Sequence, residues 1–151
     1  MDYTALAAEI AAPAYTGMND ATLLAALNAK TVPVAVPVQS GEVRRLLMVA
    51  GKWPKIAALA RGLISGTDGE KLAAVALVEA LAEIESFDLT VDAYASAVNA
   101  QLDAAIAVGL IETAHRAAIL ALGSVAKSWV ALTFPGLAAL GQPDIDAARG
   151  V

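Results

Sequence analysis

The chain has 151 residues, 58% hydrophobic but only 5% aromatic, with a formal net charge of −5, one histidine and no cysteine. That length suffices to bury a single core, while the missing cysteines exclude a disulfide framework and thiolate chemistry. The acidic balance argues against broad nucleic-acid binding, and no uninterrupted apolar run reaches the roughly 18 residues of a membrane span.

Alanine is the commonest residue and the best helix former, so the expected fold class is all-α. A single helical domain over 1–151 is predicted, with seven or eight short helices and one extended Val/Pro arm. Residues 4–12 read as a helix that Pro13 stops, because a residue before proline is pushed out of the α region. Gly17 supplies a turn, and Asn19 or Asp20 caps a second helix over 21–28. In "KTVPVAVPV" (30–38), Val32, Val34, Val36 and Val38 alternate with Pro33, Ala35 and Pro37. Prolines four apart exclude a central strand, so 30–39 is an extended arm or an edge strand.

Ser40 is expected to cap a third helix ended by Gly51, and Pro54 to open a fourth that closes near Gly62. A flexible loop is expected over 65–69, with Asp68 opening the longest helix, to about Ser86. Its apolar stripe reads as Leu72, Val75, Leu77 or Val78, Leu81 and Ile84. Thr90 is placed as cap of a sixth helix to Val108, and "ETAHRAAILAL" is the seventh. "SVAKSWVALTF" reads as an eighth, stopped by Pro135-Gly136, and Pro143 opens a last helical turn. The N-terminus shows no basic region followed by an apolar block and a small-residue cleavage site, so no signal peptide is expected.

Catalytic residue types are scarce. His115 alone cannot build a histidine-rich metal site, and no serine stands in a nucleophile-elbow context. Glu79 and Glu83 share a helix face, which reads as a solvated acidic surface rather than a cation site. Trp53, Trp129 and Tyr94 read as core fillers or contact anchors. No metal or organic cofactor is called for. Charge is split along the chain: Arg44, Arg45, Lys52, Lys55 and Arg61 stand in a segment, 43–67, without an acidic residue. From Asp68 to Glu112 the acidic residues face a single Lys71. Two readings are open: the segments attract each other within one chain, or neighbouring copies meet head to tail. The candidate interface residues are Val32, Val34, Val36, Val38, Arg44, Arg45, Lys52, Trp53 and Lys55.

One family pattern emerges. Leu6, Glu9, Ile10, Pro13, Tyr15, Gly17, Met18, Asp20, Leu27 and Asn28 together resemble the opening of a group of small virion-associated structural proteins of tailed bacteriophages. Members of that group run from a helix through a Tyr-x-Gly-Met-x-Asp turn into a helix ending Leu-Asn. Gly41, Glu42 and Val43 are similar to the next helix start of that group, and Leu140, Gly141, Asp144, Ile145, Ala148 and Arg149 to its closing signature. Asn19 stands where the group carries serine or threonine. The resemblance implies a structural component of the head, the head–tail joint or the tail. It would be made in the bacterial cytoplasm, sit in the virion and act through contacts with other virion proteins and copies of itself. No enzymatic activity, small-molecule substrate, cofactor or membrane contact is implied. The alternative is a small helical binding or regulatory module of a phage outside the virion; a carboxylate-based hydrolase of the virion has the least support.

Overall fold

Helix ends follow the capping chemistry of the sequence. In a computed structural model, which describes residues 3–150, Asn19 Oδ1 accepts the Thr22 N–H at 2.9 Å and starts a helix at Asp20. Thr67 and Glu70 form a reciprocal capping box that starts another at Asp68. The described chain is predominantly α-helical and divides into two compact units. One combines the residues up to Val34 with those from Ala126 onward; the other is the continuous stretch Ala35–Val125.

The first unit holds α1 (Thr4–Ile10), a 3-10 turn (Pro13–Tyr15), α2 (Asp20–Ala29), α8 (Trp129–Thr133) and α9 (Gln142–Arg149). Helix α1 packs on α9, and α2 packs on α8 and α9. Their core is Leu6, Leu23, Leu27, Val130, Phe134, Leu140 and Ile145, with Trp129, Tyr15 and Met18 packed at its margin. Gly17, at φ +78°, makes the turn between α1 and α2 in the left-handed region that a β-carbon disfavours.

The second unit holds α3 (Ser40–Val49), α4 (Trp53–Ala60), α5 (Asp68–Glu83), α6 (Asp92–Ala107) and α7 (Thr113–Ala121). Helix α5 is central, packing on α3, α4 and α6. The core draws on Val43, Leu47, Ile56, Leu59, Leu77, Leu102, Leu110 and Ile119, with Trp53 partly buried against it. Two two-stranded ribbons complete the fold: β1 (Thr31–Ala35) with β4 (Ser124–Ser128), and β2 (Val38–Gln39) with β3 (Ser86–Phe87). The second is antiparallel, Val38 opposite Phe87.

Several expectations are corrected. The fold is not strictly all-α, and the described residues hold nine α-helices rather than seven or eight. The first half of "SVAKSWVALTF" is strand β4, because Val-Ala-Lys pairs with the arm, and helix begins only at Trp129, capped by Ser128 Oγ on the Ala131 N–H. Ser40 is the first residue of α3 instead of its cap; buried, its hydroxyl donates to the Ile84 carbonyl. Thr90 likewise caps no helix: its N–H and hydroxyl donate to Asp88. Helix α5 ends at Glu83 because the chain then pairs as β3. Its buried stripe is Ala74, Leu77 and Leu81, while Leu72 is 72% exposed and Ile84 39%. Small Ala74 faces inward where neighbouring helices approach, a choice that hydrophobicity alone does not reveal.

Candidate functional site

The residues carrying the family resemblance lie more than a hundred positions apart in sequence, and the first unit brings them together. Asn28, at the end of α2, uses its whole amide: Nδ2 donates to the Leu140 carbonyl at 3.1 Å, and Oδ1 accepts the Leu140 N–H at 2.7 Å. Leu140 is buried just before α9, so the Asn28 side chain acts as a two-pronged substitute for a backbone partner. Asp20, in the first turn of α2, accepts from Arg149 at 2.7 Å and from Gln142 at 2.9 Å, both on α9. Those bonds, Arg149 first, hold the Asp20 carboxyl below the usual carboxylate range. Asp144 closes α9 on itself by accepting the Gly141 N–H at 2.8 Å, and its other oxygen accepts the Tyr3 hydroxyl at 3.0 Å. That bond raises the Tyr3 pKa, since losing the phenolic proton would set two anions together.

The turn itself is held by a second polar chain. Lys30 Nζ donates to Glu9 Oε1 at 2.5 Å and lies 5.1 Å from the centroid of the Trp129 ring. Trp129 in turn meets Phe134 edge to face, with centroids 5.9 Å apart. Lys30 first, and more weakly the nearby Tyr15 hydroxyl, lowers the Glu9 pKa against an opposing effect of burial. Burial, then Glu9, raises the pKa of Tyr15. Pro13 starts the 3-10 turn that sets Tyr15 toward Glu9, and Met18 packs on the core beneath. Among the described residues, no buried side-chain nitrogen or oxygen of this joint lacks a hydrogen-bond partner. It is built to hold three helices in register.

Tyr3, Lys30, Gln142 and Trp129 belong to this joint without any mark of it in the local sequence. Their roles depend on partners distant in the chain, and no local spacing marks them.

The candidate interface residues do not converge on one surface feature. Val38 is fully buried in the second unit's core; Val32, Val34 and Val36 are half-buried, and Pro33, Ala35 and Pro37 between them are exposed. Of the four valines only Val38 joins a core. Lys52 pairs with Glu112 at 2.7 Å and Lys55 with Glu70 at 3.1 Å, both within the second unit. Lys52 lowers the pKa of Glu112, and the Thr67 N–H followed by Lys55 lowers that of Glu70. Arg44 donates to the Leu81 carbonyl at 2.9 Å, with its guanidinium 5.4 Å from the centroid of the Trp53 ring. Arg45 is left exposed. Two of the basic residues thus have acidic partners in the same chain.

His115 Nδ1 accepts the Glu112 N–H at 3.1 Å, which puts the single imidazole at the start of α7 as a cap. Glu79 and Glu83 are exposed on α5. Among the described residues no group of three or more His, Asp or Glu is placed to hold a metal ion, and no helix is long and apolar enough to cross a membrane. No known protein family, curated protein or solved structure matches this chain.

Proposed function

We propose that this chain is a non-enzymatic structural component of a tailed bacteriophage particle, in its head, head–tail joint or tail, acting through subunit–subunit contacts. The observation that carries the reading is the meeting of the two halves of the family pattern. Asp20 and Asn28 from the opening segment bind Leu140, Gln142 and Arg149 of the closing one. A pattern whose distant parts hydrogen-bond to each other describes one folded unit, which is what a resemblance at both ends of a chain requires. No buried side-chain polar atom of that unit lacks a partner among the described residues, and this suits a rigid building block better than a site that must exchange ligands. Its partners are then other virion proteins and further copies of itself.

Mass spectrometry of purified particles from the encoding phage tests the reading. The chain should be recovered at a copy number comparable to other structural proteins. Its presence in infected cells and absence from particles would overturn the proposal in favour of a regulatory or binding module outside the virion.

A further inference from the structure

Helices α5 and α6 do not close on each other along their whole length. Ala80 on α5 and Ala97 on α6 both line a cavity of about 60 Å³ that lies wholly within Ala35–Val125. Two methyl groups leave open the space that larger side chains would fill in a close-packed interior. The floor of the cavity is the core itself: Val43, Leu77, Leu102 and Ile119 are each at most 3% exposed. Ile84 and Tyr94 also line it and are exposed, so they stand at its mouth. Tyr94 and Gln101 are the polar side chains on its wall, and neither has a hydrogen-bond partner among the described residues. Every other lining side chain is a hydrocarbon. Glu83 and Glu85 flank Ile84 in sequence; both are exposed, and neither forms an ion pair among the described residues.

We infer that this cavity binds the alkyl chain of a small uncharged amphiphile, an aliphatic alcohol in its simplest form, with the polar head at the mouth. Hydrocarbon walls give water nothing to hydrogen-bond to, and cavities so lined take apolar guests instead. One water-sized sphere needs about 10–15 Å³, so about 60 Å³ holds a chain of roughly four to six carbon atoms. A benzene ring is known to enter a cavity of about 150 Å³; a ring is therefore too large here, and a flexible chain fits. The head follows from the wall. A bare hydrocarbon would leave Gln101 and Tyr94 unused, whereas a hydroxyl can donate to the Gln101 carbonyl and accept from the Tyr94 phenol. A carboxylate head would meet the like charges of Glu83 and Glu85 beside the mouth. The inference concerns the second unit alone and stands or fails apart from any role in a particle.

Titration of the full chain with straight-chain primary alcohols, from propanol to octanol, followed by methyl-resolved NMR, tests it. The methyl signals of Val43, Leu77, Leu102 and Ile119 should shift. Kd should fall about fourfold for each CH₂ added and level off beyond roughly four to six carbons, because further carbons stay in water. Hexanoate should bind about twofold to fivefold more weakly than hexanol at low salt, and the gap should close as salt is added. Ala97→Leu puts a larger side chain into the mouth from an exposed position on α6. It should weaken hexanol binding by about tenfold, the loss of room for roughly two methylenes, with far-UV circular dichroism unchanged. Ala80→Leu fills the same space from α5, and it decides where Ala97→Leu disturbs the fold. Affinity that keeps rising through octanol would mean adsorption on an apolar surface and would overturn the inference. So would binding that neither alanine variant weakens, or floor methyls that do not shift at about 10 mM hexanol, well above the millimolar Kd that about five buried methylenes provide. Hexanoate binding as tightly as hexanol would refute the uncharged head.

Discussion

Replacing Asn28 with alanine removes both hydrogen bonds to Leu140 and leaves a buried N–H and C=O without partners. Each neutral bond contributes about 0.5–1.5 kcal/mol, so the expected loss of stability is about 1–3 kcal/mol. The upper half applies here, because Leu140 is only 6% exposed and water replaces the lost amide poorly. Urea titration in a Trp53→Phe background reads the relevant unit, since Trp129 borders the core that contains Leu140. Asn28→Asp separates the two prongs. An ionised carboxylate still accepts the Leu140 N–H but opposes the Leu140 carbonyl; a protonated one donates to it. The introduced carboxyl is therefore held with a folded pKa above its unfolded value of about 3.9. A raised folded pKa means that the variant's deficit against wild type is small at low pH and grows as pH rises through the folded value. The reasoning is refuted if Asn28→Ala stays within about 0.5 kcal/mol of wild type, or if the Asn28→Asp deficit does not change with pH.

Gly17→Ala should cost about 1–2 kcal/mol by urea titration, wholly as backbone strain: φ is +78° and an added β-carbon would touch nothing within 4 Å; an unchanged midpoint would count against the turn geometry. Val38→Ser should cost about 2–4 kcal/mol, because it buries a hydroxyl where the side chain is fully enclosed. Val34→Ser, half-buried, should cost about 1 kcal/mol, and equal losses at both positions would show the arm to be uniformly packed. Glu9, Asp20, Glu70 and Glu112 all have folded pKa values below their ordinary ones. Their contributions are therefore complete above the unfolded values of about 4 and are lost as pH falls through the folded ones. Thermal melts at low salt should accordingly fall on acidification below about pH 4, and a Tm that rises there would contradict the ion pairs.

Much of the helical layout is legible in local chemistry. Asn19 as a cap, Thr67-x-x-Glu70, Pro13, Pro54 and Pro143 each act through neighbours within four residues, and the helices begin and stop where these residues stand. The valine alternation also reads correctly as an extended segment. What local pattern could not give is pairing. Ser124–Ser128 has the alanine, lysine and serine of a helix turn, and becomes strand only because β1 lies beside it. Ser86–Phe87 similarly leaves the helix to pair with Val38–Gln39. The joint was half legible: the resemblance marked Asp20, Asn28, Asp144 and Arg149, but nothing in sequence announced that these would bond to one another.

A unit assembled from both ends of a chain must wait for its second half. As the chain is synthesised, Leu6, Leu23 and Leu27 emerge early with their apolar faces uncovered, while Val130, Phe134 and Ile145 are not yet made. Synthesis of Ala35–Val125 at about 5–20 residues per second takes on the order of 5–20 s. The intervening stretch needs no later residue to close its own core, which draws from no residue outside it. Order of birth thus separates the two cores in time: the middle matures first, and the beginning is completed last. A chain terminated just after Val125 and released from the ribosome would carry a finished centre and an unfinished, apolar head, open to proteases and to chaperones for want of Trp129 and the helix bearing Ile145.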